Sequence, residues 1–105
     1  MKNYYIFFYV PKDNCELVKE AMFKAGAGRL GDYEACAWQT EGLGQFRPNN
    51  GSNPYIGEIG KLEKVEEIKV EMFCKGESLK DAIKALKDSH PYEEVAYGVF
   101  ELVDF

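Results

Sequence analysis

Seven consecutive residues near the start of the chain, Tyr4-Tyr5-Ile6-Phe7-Phe8-Tyr9-Val10, are all aromatic or β-branched. A strand of that kind has no polar face, so it must be covered on both sides. A segment near the other end has the same character. Val95 to Val103 puts Ala96, Phe100 and Leu102 on one face and Val95, Tyr97, Val99 and Val103 on the other. Two strands that are greasy on both faces restrict the architectures open to a chain of 105 residues.

The intervening segments supply the remaining elements. Asp13 followed by Glu16 predicts a helix start, the aspartate capping and the glutamate reaching back. Leu17, Val18, Ala21, Met22 and Ala25 then recur at helical spacing, and Gly26 with Gly28 stops the helix. Tyr33 to Glu41 is predicted as the second strand. Val65 to Cys74 alternates, with Ile68, Val70, Met72 and Cys74 on one face and Glu67, Lys69, Glu71 and Phe73 on the other. Gly76 breaks that strand. Ser78 and Asp81 form a capping signature for a second helix, whose inward stripe is Leu79, Ala82, Ile83 and Leu86. His90-Pro91 ends it, because proline disfavours helical geometry in the preceding residue.

The order β-α-β-loop-β-α-β is that of a ferredoxin-like α+β sandwich: one domain over 1–105, an antiparallel sheet with two helices on one face. The second face would then expose an aromatic patch in a monomer, and such patches mark association surfaces. A sheet-to-sheet oligomer is the expected solution.

The rest of the composition narrows the function. A net charge of −5 and a pI near 4.9 lack the clustered Lys and Arg of a nucleic-acid footprint. Cys15, Cys36 and Cys74 form no CxxC pair, which suits a reducing cytoplasm. No stretch approaches the roughly 20 apolar residues of a membrane span, and the apolar run at Tyr4 meets Pro11-Lys12-Asp13 instead of a small-residue cleavage site. The expectation is a cytoplasmic protein that binds neither nucleic acid nor membrane.

A Gly- and Asn-rich excursion at about 42–60, with an extended piece at Gln45 to Arg47, is too long for a plain connection and carries apolar anchors. The segments Gly26-Ala27-Gly28-Arg29-Leu30-Gly31-Asp32-Tyr33, Gly42-Leu43-Gly44-Gln45-Phe46, Gly51-Ser52-Asn53-Pro54-Tyr55-Ile56-Gly57 and His90-Pro91-Tyr92-Glu93-Glu94-Val95-Ala96-Tyr97 resemble, in that order, one known domain. It is the domain inserted in YqfO-type members of the Nif-three-like family (NGG-one-interacting factor three). The resemblance covers essentially the whole chain. It implies a fold similar to PII signalling proteins and CutA, a homotrimer, and a cap-like role. The flanking halves that carry the dinuclear metal centre of the long members are not in this sequence, so their cyclohydrolase-type activity is not expected of it. The PII analogy also places a nucleotide-binding loop where the glycine-rich stretch lies, by position alone.

Three chemistries compete with their bland counterparts. His90 with Glu93 and Glu94 has the residue types of a divalent-metal site, although one protomer offers about two ligands; the alternative is a helix-ending turn. The loop, with Arg29, Phe46, Arg47, Asn53 and Tyr55 as its ligand or interface residues, can cradle an anion through backbone N–H groups or plug between protomers. Gly60-Lys61-Leu62 lacks the Lys-Ser/Thr step of a P-loop. Cys15, in the first turn of a helix, has no patterned partners for nucleophilic catalysis. The expectation is a non-enzymatic module that associates with itself and binds a small ligand or protein partner at protomer interfaces. A divalent metal is the only cofactor the residues suggest.

Overall fold

β1 (Asn3–Pro11) is hydrogen-bonded along both edges, antiparallel to β3 (Glu63–Lys75) on one side and to β4 (Tyr97–Leu102) on the other. β2 (Trp38–Phe46) pairs with the free edge of β3, giving one antiparallel sheet in the order β2-β3-β1-β4. These assignments come from a computed structural model that describes residues 2–105. The crossover β1-α1-β2 brackets β3, and β3-α2-β4 brackets β1, which is the split βαβ arrangement.

Both helices, α1 (Cys15–Lys24) and α2 (Gly76–Ser89), pack on one face. Alternation decides what they meet. Ile6, Phe8 and Val10 of β1 and Ile68, Val70, Met72 and Cys74 of β3 close on Val18 and Met22 of α1 and Ala82 and Leu86 of α2. Val95, Tyr97 and Val99 flank this core, as the period-2 pattern requires.

The other face carries no helix. Tyr5, Phe7 and Tyr9 line it from β1, Phe73 from β3, Phe100 from β4 and Trp38 from β2, as their register dictates. Phe7 stacks on Phe100 at 5.6 Å, and Tyr5 meets Phe73 edge-on at 5.6 Å. Phe7 also lies across Gly98, where a Cβ would come within 2.4 Å of its ring.

Several boundaries differ from expectation, each for a physical reason. Asp13 does not cap α1: it lies in a 3-10 turn at Lys12–Asn14, and the helix begins at Cys15 without a side-chain cap. Leu17 faces solvent at 62% exposure, because Cys15, Val18 and Met22 form the inward stripe. α2 starts at Gly76, before the Ser78 signature, and no side chain caps it. The Gly76 N–H donates instead to the Lys2 carbonyl at 2.8 Å. β2 lies five residues later than Tyr33 to Glu41, because the ladder with β3 runs through Gly42 and Gly44 to Phe46. Glycine weakens a strand but does not remove its backbone donors and acceptors. The excursion therefore occupies 47–62.

The β2-β3 hairpin extends past the helices. The molecule measures 47 × 24 × 24 Å, and its radius of gyration of 14.7 Å exceeds the roughly 13 Å of a compact domain this size. Phe8→Ala should cost about 3–5 kcal/mol, whereas Leu17→Ala should change stability by less than about 0.5 kcal/mol. Urea unfolding midpoints of the two variants test that division.

Candidate functional site

The excursion closes on itself before it closes on the sheet. The Gly60 N–H donates to the Pro48 carbonyl at 2.7 Å, so the two ends of the loop meet as in a compact Ω-loop. Within it, the Ser52 hydroxyl donates to the Asn49 carbonyl at 2.7 Å. One bond pins the loop to the rest of the chain: the Asn53 N–H donates to the Glu93 Oε2 at 2.7 Å. Between this loop, the segment leading into β4 and the distal end of the sheet's open face lies a cleft of about 590 Å³. That is the size of a small-molecule site.

Tyr92 is the hub of the cleft. Its ring packs edge-on against Phe46 at 5.9 Å, lies 6.3 Å from Tyr55 and 5.1 Å from His90. Its hydroxyl donates to the Glu67 Oε2 at 3.2 Å. Burial, and then the nearby Glu67 carboxylate, push the phenol pKa well up, so it remains a neutral donor. Glu67 lies over Gly44, where a Cβ would collide with its carboxylate at 1.9 Å. Gly44 is thus required for space.

His90 holds Tyr92 in place. Its Nε2 lies 2.7 Å from the Tyr9 carbonyl, and its Nδ1 accepts the Tyr92 N–H at 3.1 Å. A carbonyl can only accept, so Nε2 carries the proton and the imidazole is the neutral Nε2–H tautomer. Both ring nitrogens are committed to backbone.

The residues expected to form sites fall into two groups. Phe46, Arg47 and Tyr55 line the cleft together with Glu93 and Glu94, so the loop and the segment after His90 converge on one place. Asn53 joins them through its backbone. Arg29 does not. The Gly28 N–H donates to the Phe73 carbonyl, whereas Phe46 pairs with Glu63. Ten residues of strand put these two places roughly 33 Å apart. A metal at His90 would have to displace one of its two backbone bonds. Among the described residues, no three His, Cys, Asp or Glu side chains converge as a ligand set within the chain. Cys15 is buried, and burial raises its thiol pKa, the opposite of an activated nucleophile. Tyr92 was not among the expected site residues. Its signal was its place in the His90-to-Tyr97 motif, since nothing in a periodicity marks a side chain whose contacts are all long-range.

Burial lowers the His90 pKa from 6.5, outweighing the Tyr9 carbonyl, which raises it. The folded state therefore binds this proton less readily than the unfolded chain. Stability is full above pH 6.5 and falls as pH drops through that value toward the lower folded pKa. The slope should not exceed about 1.4 kcal/mol per pH unit. Urea midpoints from pH 8 to pH 5 should show this loss in the wild type beyond whatever His90→Gln shows. Equal slopes would refute the assignment.

Comparison with known proteins places the whole unit. A Mycobacterium tuberculosis protein named GTP cyclohydrolase 1 type 2 homolog is 43% identical over 95 residues, 90% of this chain and 25% of that protein. Its Bacillus subtilis namesake is 47% identical over 92 residues, 88% of this chain and 25% of its own length. The chain thus spans about a quarter of the curated relatives it matches. Among solved structures, a Bacillus cereus protein related to NIF3 superposes with a TM-score of 0.83 at 37% identity, over 98% of this chain and 26% of that one. CutA from Xylella fastidiosa superposes at 0.71 with 19% identity, over 100% of this chain and 88% of that one, a likeness of fold alone. No protein-family model matches. Over nearly its full length the chain is thus similar in sequence to about a quarter of these Nif-three-like proteins, and in fold to CutA.

Proposed function

We propose that this domain is an assembly module, a homotrimer that works without catalysis and binds a small ligand or a protein partner beside its protomer interfaces. The observation that carries the reading is the uncovered face of the sheet. Tyr5, Phe7, Tyr9, Phe73, Phe100 and Trp38 make it apolar, and Phe100 and Trp38 remain 58% and 69% exposed. Burying one such ring stabilises by about 1.5–3 kcal/mol, so another copy is the natural cover.

The charges on that face do not oppose the idea. Lys69 lies 3.8 Å from Glu71, and Glu71 also accepts the Tyr5 hydroxyl. That bond, with burial behind it, pushes the Tyr5 pKa up to about 12. Covering these groups costs desolvation that their pairing only partly offsets, so the aromatic rings around them have to supply the driving force. The projecting β2-β3 hairpin supplies further surface, with Leu43 65% exposed beyond the reach of either helix.

The cyclohydrolase name belongs to proteins of which this chain matches a quarter. Whatever chemistry that name denotes then lies in the remaining three quarters of those proteins. Three free thiols suit a cytoplasmic setting, and no helix among the described residues is long and apolar enough to cross a membrane.

Sedimentation velocity at micromolar concentration should give a trimer. Phe100→Glu, on the exposed face and outside the core, should shift the protein to monomer while far-UV circular dichroism is unchanged. A wild type that sediments as a monomer would end the proposal.

A further inference from the structure

The cleft under the excursion combines two features that together select a ligand class: aromatic walls and an acidic rim. Phe46, Tyr55 and Tyr92 give it three rings, tilted 62° and 54° at the two contacts with Tyr92. All three rings line the cleft, and the face of an aromatic ring attracts a cation. Of the four charged side chains that line the cleft, Glu67, Glu93 and Glu94 are acidic and Arg47 alone is basic. Glu93 spends one oxygen on the Asn53 N–H and Glu67 one on the Tyr92 hydroxyl, so each keeps an oxygen for a further partner. Glu94 is exposed at the mouth.

This balance argues against the two ligands that the glycine-rich loop first suggests. A phosphate or nucleotide would meet three carboxylates against one guanidinium. A small hard cation needs converging oxygen ligands, whereas no three carboxylates converge among the described residues, and Pro48, Pro54 and Ile56 fill much of the wall with apolar surface. A bulky cation that carries its charge on an alkylated nitrogen satisfies both halves of the lining.

We infer that the cleft binds a small alkylated ammonium of the choline type, its head held against Phe46, Tyr55 and Tyr92 and its charge balanced by Glu67, Glu93 and Glu94. This deepens the proposed function by naming the ligand that it leaves open, and it assigns all of the ligand's contacts to residues of one protomer.

Choline is the probe, added at constant ionic strength to isotopically labelled protein while backbone amides are followed by NMR. Saturable shifts at Asn53 and Tyr92 are expected at millimolar concentration. The neutral isostere 3,3-dimethylbutan-1-ol should bind about tenfold more weakly, and Tyr55→Ala, an exposed substitution, should weaken choline by about threefold to tenfold. No saturable shift, equal binding of the isostere, or inorganic phosphate moving the same amides would overturn the inference. Phe100→Glu separates the two readings: choline binding should persist in a protein that no longer assembles, and its loss there would refute a single-chain site. Phosphatidylcholine vesicles should leave the protein in the supernatant; pelleting with them would overturn a free solute as the ligand.

Discussion

The central position of β1 governs the rest of the molecule. It pairs on both edges and is apolar on both faces, so each face has to be dealt with separately. The even-numbered side, Ile6, Phe8 and Val10, is fully buried under two helices. The odd-numbered side, Tyr5, Phe7 and Tyr9, is left to neighbouring strands and to whatever covers the sheet from outside. A register slip of one residue would exchange these two sets. The hydroxyls of Tyr5 and Tyr9 would then enter the core, and the aliphatic groups that fill it would face solvent. Aromatic residues with a polar tip suit a face that is wet in one state and covered in another.

The same strand connects the open face to the cleft. Tyr9 lines the cleft and also meets Phe7 edge-on at 6.1 Å, at the start of the aromatic stripe. Its carbonyl accepts from His90, and its N–H donates to the Ala96 carbonyl at 3.1 Å. One residue thus ties together the sheet, the turn that ends α2 and the floor of the cleft. His90 is buried for this reason. A histidine with one nitrogen on each of two backbone groups fixes the distance between β1 and the segment that carries Tyr92, Glu93 and Glu94.

How much of this was legible in the sequence depended on whether a residue's role is periodic. The core face of β3 was readable because Ile68, Val70, Met72 and Cys74 alternate with charged residues over a long strand, and all four are buried. The two-faced character of β1 and β4 was readable for the same reason, and with it the uncovered side of the sheet. The helix starts were not. Local capping signatures at Asp13 and Ser78 lost to tertiary demands: a 3-10 turn after β1, and the close approach of Ser78 to Gly26, where a Cβ would sit 2.5 Å from the serine oxygen. The sequence places β2 too early because none of its nine residues is buried, so burial imprinted no alternation on it.

The candidate site shows the same division more sharply. Loop anchors such as Phe46 and Tyr55 stood out as apolar residues among glycines, and Glu93 and Glu94 stood out as charges beside a histidine. Nothing in the sequence said that they share one cleft, since the loop and the β4 lead-in are some forty residues apart, a separation visible in the Asn53–Glu93 bond. Their convergence follows from the path of the segment leading into β4. It carries Tyr92 over the open face to Glu67 of β3 and Phe46 of β2. The excursion at 47–62 then meets it from the β2-β3 end, where the Asn53 N–H finds Glu93 and Tyr55 lies beside Tyr92. Gly44 leaves the space that Glu67 occupies when it accepts from Tyr92, a contact that no local pattern announces.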